Sequence, residues 1–282
     1  MFARYALAMS LYFLAASSVC ADGLIHSLPS DGSYATFKFK QNATALRTLA
    51  GEAVPDITAT GTFTVRSVGK KQTDNGAARW IELEASYAPD EQRPVGRVII
   101  LRMLIPESSL TQGSDPLIGI REIDFLDKDW KLGHEPEDSK PEHLTDPAAV
   151  LYEIERLRQF FPFPPANTKS YTKKENVKIK VPAGECNSTN ISYPTKFEGK
   201  LTRGTLGTWS WDGTYSLWLS DVSPFGVVAV ETTIECKEVY GSADQAPNGV
   251  TMKSNLRLEL KSVGIDAKSA FVATPDIRIT RP

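Results

Sequence analysis

The chain has 282 residues, with 32 Lys+Arg against 34 Asp+Glu and 41 % hydrophobic residues. The near-zero charge balance excludes a nucleic-acid or polybasic membrane footprint, and the apolar fraction excludes wholesale disorder. What remains is a globular chain long enough for one large β domain or two small ones.

Met1–Ala21 reads as a secretory leader. Arg4 supplies the positive start, Tyr5 to Ala16 is apolar except for Ser10, and Val19-Cys20-Ala21 offers a cleavage site before Asp22. The apolar run is too short to span a bilayer, and no later stretch is long enough, so an integral membrane protein is not expected. Export, to a periplasm or the extracellular space, is the expected localisation. Val19 stands where a lipid-accepting Cys20 would want a small residue, which disfavours but does not remove lipidation.

The following segments alternate as strands do. Ala43 to Ala50 is a weak helical candidate. Over Ile57–Val65 the odd positions are apolar or small and the even ones are threonines. Asp74-Asn75-Gly76 turns the chain. Ile81, Leu83, Ala85 and Tyr87 then share one face, with Glu82, Glu84 and Ser86 on the other. Arg97–Ile105 is apolar on nearly both faces, as in a strand whose sheet is covered on both sides. Asp127 to Glu142 is charged and irregular and reads as a surface excursion.

Asp146 is a good N-cap and Pro147 suits the first helical position. Leu151, Ile154, Leu157 and Phe161 form one stripe, stopped by Pro162, Pro164 and Pro165. Val177, Ile179 and Val181 alternate with lysines. Asp212-Gly213 between Trp209-Ser210-Trp211 and Thr214–Trp218 reads as a type I′ hairpin. That register groups Trp209, Trp211 and Trp218 on one face and Tyr215, Leu217 and Leu219 on the other. Gly226–Cys236 is a long strand. In Met252–Lys261, Leu256, Leu258 and Leu260 face one way and Lys253, Asn255, Arg257, Glu259 and Lys261 the other. The class is mainly antiparallel β, roughly eleven strands with one or two helices.

Catalytic signatures are scarce. Nucleophile-elbow, phosphate-loop, zinc-helix and Cys-x-x-Cys motifs are missing from the sequence. His26 lies beside the expected mature start, and His134 and His143 fall in the charged excursion, where solvation is the simple expectation. Asp127-x-Asp129 fails as a calcium loop because Lys131 and Leu132 occupy needed positions. No metal or cofactor is expected. With Cys20 removed, Cys186 and Cys236 form an even pair, which in an oxidising compartment is most simply a disulfide; two buried thiols are the alternative. Asn42, Asn187 and Asn190 head glycosylation sequons, meaningful only in a glycosylating host. The three tryptophans could stack sugars, though an aromatic core face is the plainer reading.

The phrases Arg79–Glu84, Arg102–Pro106, Val181–Cys186, Leu217–Gly226 and Leu258–Leu260 ahead of Gly264 resemble a group of bacterial exported proteins. Their architecture is similar to the LolA/LolB type of periplasmic lipoprotein carrier, an incomplete antiparallel β-barrel with helices at its mouth. The resemblance spans roughly residues 30–265; the expected organisation is a signal peptide over 1–21, one LolA/LolB-like β domain over 22–265 with an excursion at about 127–175, and a tail over 266–282. Its motifs are structural and transfer no catalytic residue. On the physical reading, an incompletely closed barrel must cover its apolar concave face, and a loosely fitting cover leaves a lipid-sized cavity. The candidate lining is Val98, Ile100, Leu151, Ile154, Leu157, Trp209, Trp211, Trp218, Leu256, Leu258 and Leu260. The expected function is a non-enzymatic carrier of an apolar ligand or lipidated partner. An envelope or interaction module with a filled core is the alternative, and a carboxylate hydrolase a distant third.

Overall fold

The computed structural model describes residues 25–47, 57–89, 96–110, 116–117, 119–129, 142–146, 171–201, 207–240 and 248–271. Eleven strands form one antiparallel sheet. They are β1 (Tyr34–Arg47), β2 (Ile57–Thr73), β3 (Gly76–Tyr87), β4 (Arg97–Pro106), β5 (Glu122–Asp129), β6 (Glu142–Leu144), β7 (Thr172–Val181), β8 (Gly184–Leu201), β9 (Gly207–Leu219), β10 (Val227–Tyr240) and β11 (Asn248–Gly264). The order is β6-β5-β4-β3-β2-β1-β11-β10-β9-β8-β7. This is a meander in which the first and last strands pair at the centre, and β6 and β7 are the edges among the described strands.

The sheet curls most strongly at one end. Its four register shifts lie toward that end, at Thr36/Phe37, Ser67/Lys70, Lys174/Val177 and Val227/Ala229. A bulge bends its strand and increases the local twist. The β7–β8 turn is thereby carried across the inner face until the Ala183 N–H donates to the Leu260 carbonyl at 2.9 Å. One apolar cluster then joins strands from both halves, including Phe37, Val65, Leu83, Leu101, Val181, Leu217, Val230, Leu258 and Leu260. This end is closed.

Period-two reasoning holds along most strands. The inner face of β2 carries buried Ala59, Phe63 and Val65, and β3 carries Ile81, Leu83 and Ala85. The Asp74-Asn75 turn closes on a Thr73–Gly76 pair, with Gly76 at φ 107°. β4 is buried on both faces, as its composition demanded.

Two expectations are corrected. Ala43–Arg47, read as helical, continue β1 and pair with β11 as far as Arg47–Val250. Flanking strands satisfy the backbone there, and that outweighs the modest helix preference of Ala and Leu. Asp212-Gly213 does not turn the chain. Gly213 sits in mid-strand, paired with Thr195 of β8 and Ile234 of β10. A Cβ at Gly213 would lie 2.6 Å from the Thr233 carbonyl oxygen. The glycine therefore marks a close backbone approach. The helix expected over Asp146–Phe161 lies outside the described residues beyond Asp146. The only helical element described is a 3₁₀ turn at Glu107–Leu110.

Candidate functional site

The inner face is built from cross-strand rows. Phe39, Leu258, Val230, Leu217 and Ile191 are successive register partners across five strands, and Phe37 pairs with Leu260. Leu258 and Leu260 are each 2 % exposed, so this floor is filled by side chains. Phe39 lies over Gly61, where a Cβ would come within 2.7 Å of its ring. It meets Tyr87 edge-on at 5.2 Å. One row further from the closed end, Gln41, Leu256, Thr232, Tyr215 and Tyr193 are partners, and the face becomes mixed. Gln41 Nε2 donates to Ser254 Oγ at 3.3 Å. Leu256, Ile234, Met252 and Cys236 are half-buried along this stretch.

Leu256, Leu258 and Leu260 thus meet on the inner face as expected. Val98 and Ile100 do not join them. They lie on the outer face, where Ile100 packs with Leu126 and Phe271. Leu101, Met103 and Ile105 supply the inner face of β4 instead, because alternation puts neighbours on opposite sides. The grouping of Trp209, Trp211 and Trp218 is lost with the hairpin. In an unbroken strand Trp218 lies opposite Tyr215, Leu217 and Leu219, and these three face the floor. Trp209 and Trp211 are in β9, but their side chains lie outside the described residues, as do Leu151, Ile154 and Leu157.

Cys186 and Cys236 are not joined. Cys236 pairs with Trp211, and Trp211 with Phe197 of β8, whereas Cys186 lies at the other end of β8 beside Ser220. Eleven residues of strand separate Phe197 from Cys186, or about 36 Å, far beyond the ~7 Å Cα limit for a disulfide. Sequence parity of two cysteines carries no information about register, which is what fixes this distance.

The outer face holds an arrangement that sequence reading missed. Arg66, Glu82, Arg102, Asp124 and His143 are successive register partners across β2 to β6, the first four alternating in charge. Glu82 is 0 % exposed. It accepts from the Ser269 hydroxyl at 2.7 Å and the Ala270 N–H at 2.9 Å, with Arg66 at 3.4 Å. Arg66 also pairs with Glu84 at 2.9 Å. Asp124 takes Arg102 Nε and Nη2 on one oxygen and His143 Nδ1 on the other, the last at 2.6 Å. Nδ1 is the donor, since a carboxylate only accepts. The Arg102 guanidinium lies between the rings of Trp80 and Phe271, 4.8 and 4.7 Å from their centroids. The segment from residue 266, expected as a tail, is therefore docked as far as Phe271. His143, expected to be solvated, is exposed but bonded. One signal was present in the sequence: Arg102 is a charge in a strand covered on both faces, and such a charge requires a partner.

Among the described residues no three His, Cys, Asp or Glu side chains cluster to hold a metal ion, and no helix is long and apolar enough to cross a membrane. No family model and no curated protein matches the chain. Among solved structures, one provisionally named an exported protein with a YmcC-like fold, from Bacteroides fragilis, is similar at 9 % identity and a TM-score of 0.26. The match covers 87 % of this chain and 100 % of that one. A second, provisionally named a lipoprotein, from Parabacteroides distasonis, is similar at 8 % identity and a TM-score of 0.28, covering 87 % of this chain and 99 % of that one.

Proposed function

We propose that this is an exported, non-enzymatic protein whose inner sheet face takes an apolar ligand or the acyl chain of a lipidated partner, in the manner of LolA/LolB-type carriers. One observation carries the reading: the inner face is graded. Its floor rows are filled, and beyond them Leu256, Ile234 and Met252 are apolar yet only half-buried. A partly covered apolar trough above a solid floor is a shape that binds chains of methylenes. The leader at Met1–Ala21 supports export. Among the described residues the buried carboxylates Glu82 and Asp124 are held in ion pairs and hydrogen bonds with arginine, histidine, hydroxyl and backbone donors.

The filled floor itself favours a second reading, an interaction module with no ligand. Native mass spectrometry of the purified protein, followed by uptake of an apolar fluorescent probe, separates the two. Ile234→Trp narrows the trough and is expected to weaken probe uptake about tenfold with little change in melting. No bound lipid, together with probe binding that is absent or unchanged in Ile234→Trp, would favour the interaction module.

A further inference from the structure

The outer-face site that fastens the C-terminal segment has the parts of a peptide-recognition pocket. Buried Glu82 takes the Ser269 hydroxyl at 2.7 Å and the Ala270 N–H on both its oxygens, at 2.9 and 3.2 Å. Arg102, clamped by Asp124, stacks on the Phe271 ring, and Phe271 is buried against Ile100 and Leu126. A hydroxyl, a main-chain N–H and an aromatic ring are thus read in order along three residues. Emptied, the site would leave the buried Glu82 carboxylate with Arg66 at 3.4 Å and would expose the apolar patch under Phe271. A filled site is therefore strongly favoured.

The segment that fills it is fixed at both ends and strained between them. Gly264, the last residue of β11, packs so closely on Tyr34 that a Cβ there would collide with the ring. Four residues, Ile265 to Lys268, join it to Ser269, and none of them is in a strand. Among them Asp266 has φ 102°, a conformation that costs an L side chain and persists only while its surroundings enforce it. The Ala267 N–H, donating to the Gly32 carbonyl at 2.8 Å, holds this hinge closed. A short hinge under strain favours exchange of the segment beyond it. A second copy of this chain carries the same Ser-Ala-Phe at the same spacing and fills the site with identical bonds. The closed and exchanged forms then differ at the hinge and in the entropy of pairing. We propose that two copies of the chain exchange this segment, each supplying Ser269, Ala270 and Phe271 to the outer face of the other. The path from Gly264 to Ser269 extends to about 18 Å at most, so the two outer faces lie close together. The inner trough stays free on both copies, and ligand binding there can fail or succeed independently.

Size-exclusion chromatography with light scattering tests this on the purified exported protein, before and after unfolding in urea and refolding at rising protein concentration. A discrete dimer is expected. Its share should grow with the concentration at refolding and decay slowly on dilution, because each segment must open before it can return. Asp266→Gly relieves the closed hinge and should lower the dimerisation constant about tenfold or more, since two hinges relax per dimer. Phe271→Ala weakens the site equally in both forms, so it should leave the constant nearly unchanged but speed dimer dissociation about tenfold or more. If Phe271→Ala fails to fold, Ser269→Ala serves in its place. Three results would overturn the proposal: monomer alone at every refolding concentration, a dimer whose constant Asp266→Gly leaves unchanged, or a dimer whose dissociation rate is indifferent to the weakened site.

Discussion

Glu82→Gln tests whether the outer-face carboxylate fastens the C-terminal segment to the sheet. Glu82 is fully buried and receives three donors, from Ser269, Ala270 and Arg66. Hydrogen bonds to a charged group contribute ~1.5–3 kcal/mol each. Glutamine keeps the shape and can retain the Ala270 N–H on its oxygen. Its amide then points at Ser269 Oγ, which already accepts from the Phe271 N–H at 3.1 Å and the Arg102 guanidinium at 3.4 Å. Arg66, which shares that oxygen with Ala270, keeps an acceptor there without its charge and keeps the Glu84 carboxylate. Removing the buried charge also removes its desolvation cost, so the net loss should be about 2 kcal/mol, less than the sum of the bonds. Urea unfolding of Glu82→Gln, Ser269→Ala and the double variant gives a cycle, with a coupling of about 1 kcal/mol expected between the two sites. Faster hydrogen exchange at the Ala270 amide should accompany it. A Glu82→Gln loss under ~0.5 kcal/mol with no coupling would refute the fastening role.

Gly213→Ala should destabilise by about 1–3 kcal/mol, because the new methyl meets the backbone oxygen of Thr233 and neither strand can yield cheaply; thermal melts check it, and a neutral effect would place Gly213 elsewhere than mid-strand. Denatured, unreduced protein should titrate two thiols with Ellman reagent after loss of Cys20 with the leader, since Cys186 and Cys236 are not joined. Burial lifts the Cys186 thiol above its ordinary value, opposed by a hydrogen bond to Ser220 and aided by the charge of Glu185. The folded chain thus holds that proton more tightly than the unfolded one. This contribution to stability is fully present below the ordinary thiol range and is lost as pH rises through the raised value. Iodoacetamide should accordingly label Cys186 more slowly in native than in urea-unfolded protein at the same mildly alkaline pH.

The sequence by itself determined the strands and the faces that alternate cleanly. Leu256, Leu258 and Leu260 turn inward and their charged neighbours outward because side chains alternate with period two, whatever the partner strands are. The doubly apolar composition of Arg97–Ile105 announced two covered faces. It could not say which side Ile100 would take, because both parities are apolar. Only the tertiary structure decided that, by laying Phe271 over the outer face. Asp212-Gly213 shows the same limit. The dipeptide is compatible with a turn or with a close strand approach, and long-range pairing to Thr195 and Ile234 selected the strand. The distance between Cys186 and Cys236 and the charged row from Arg66 to His143 depend on register across several strands. Register is a property of pairs of segments far apart in the chain, so local periodicity contains none of it.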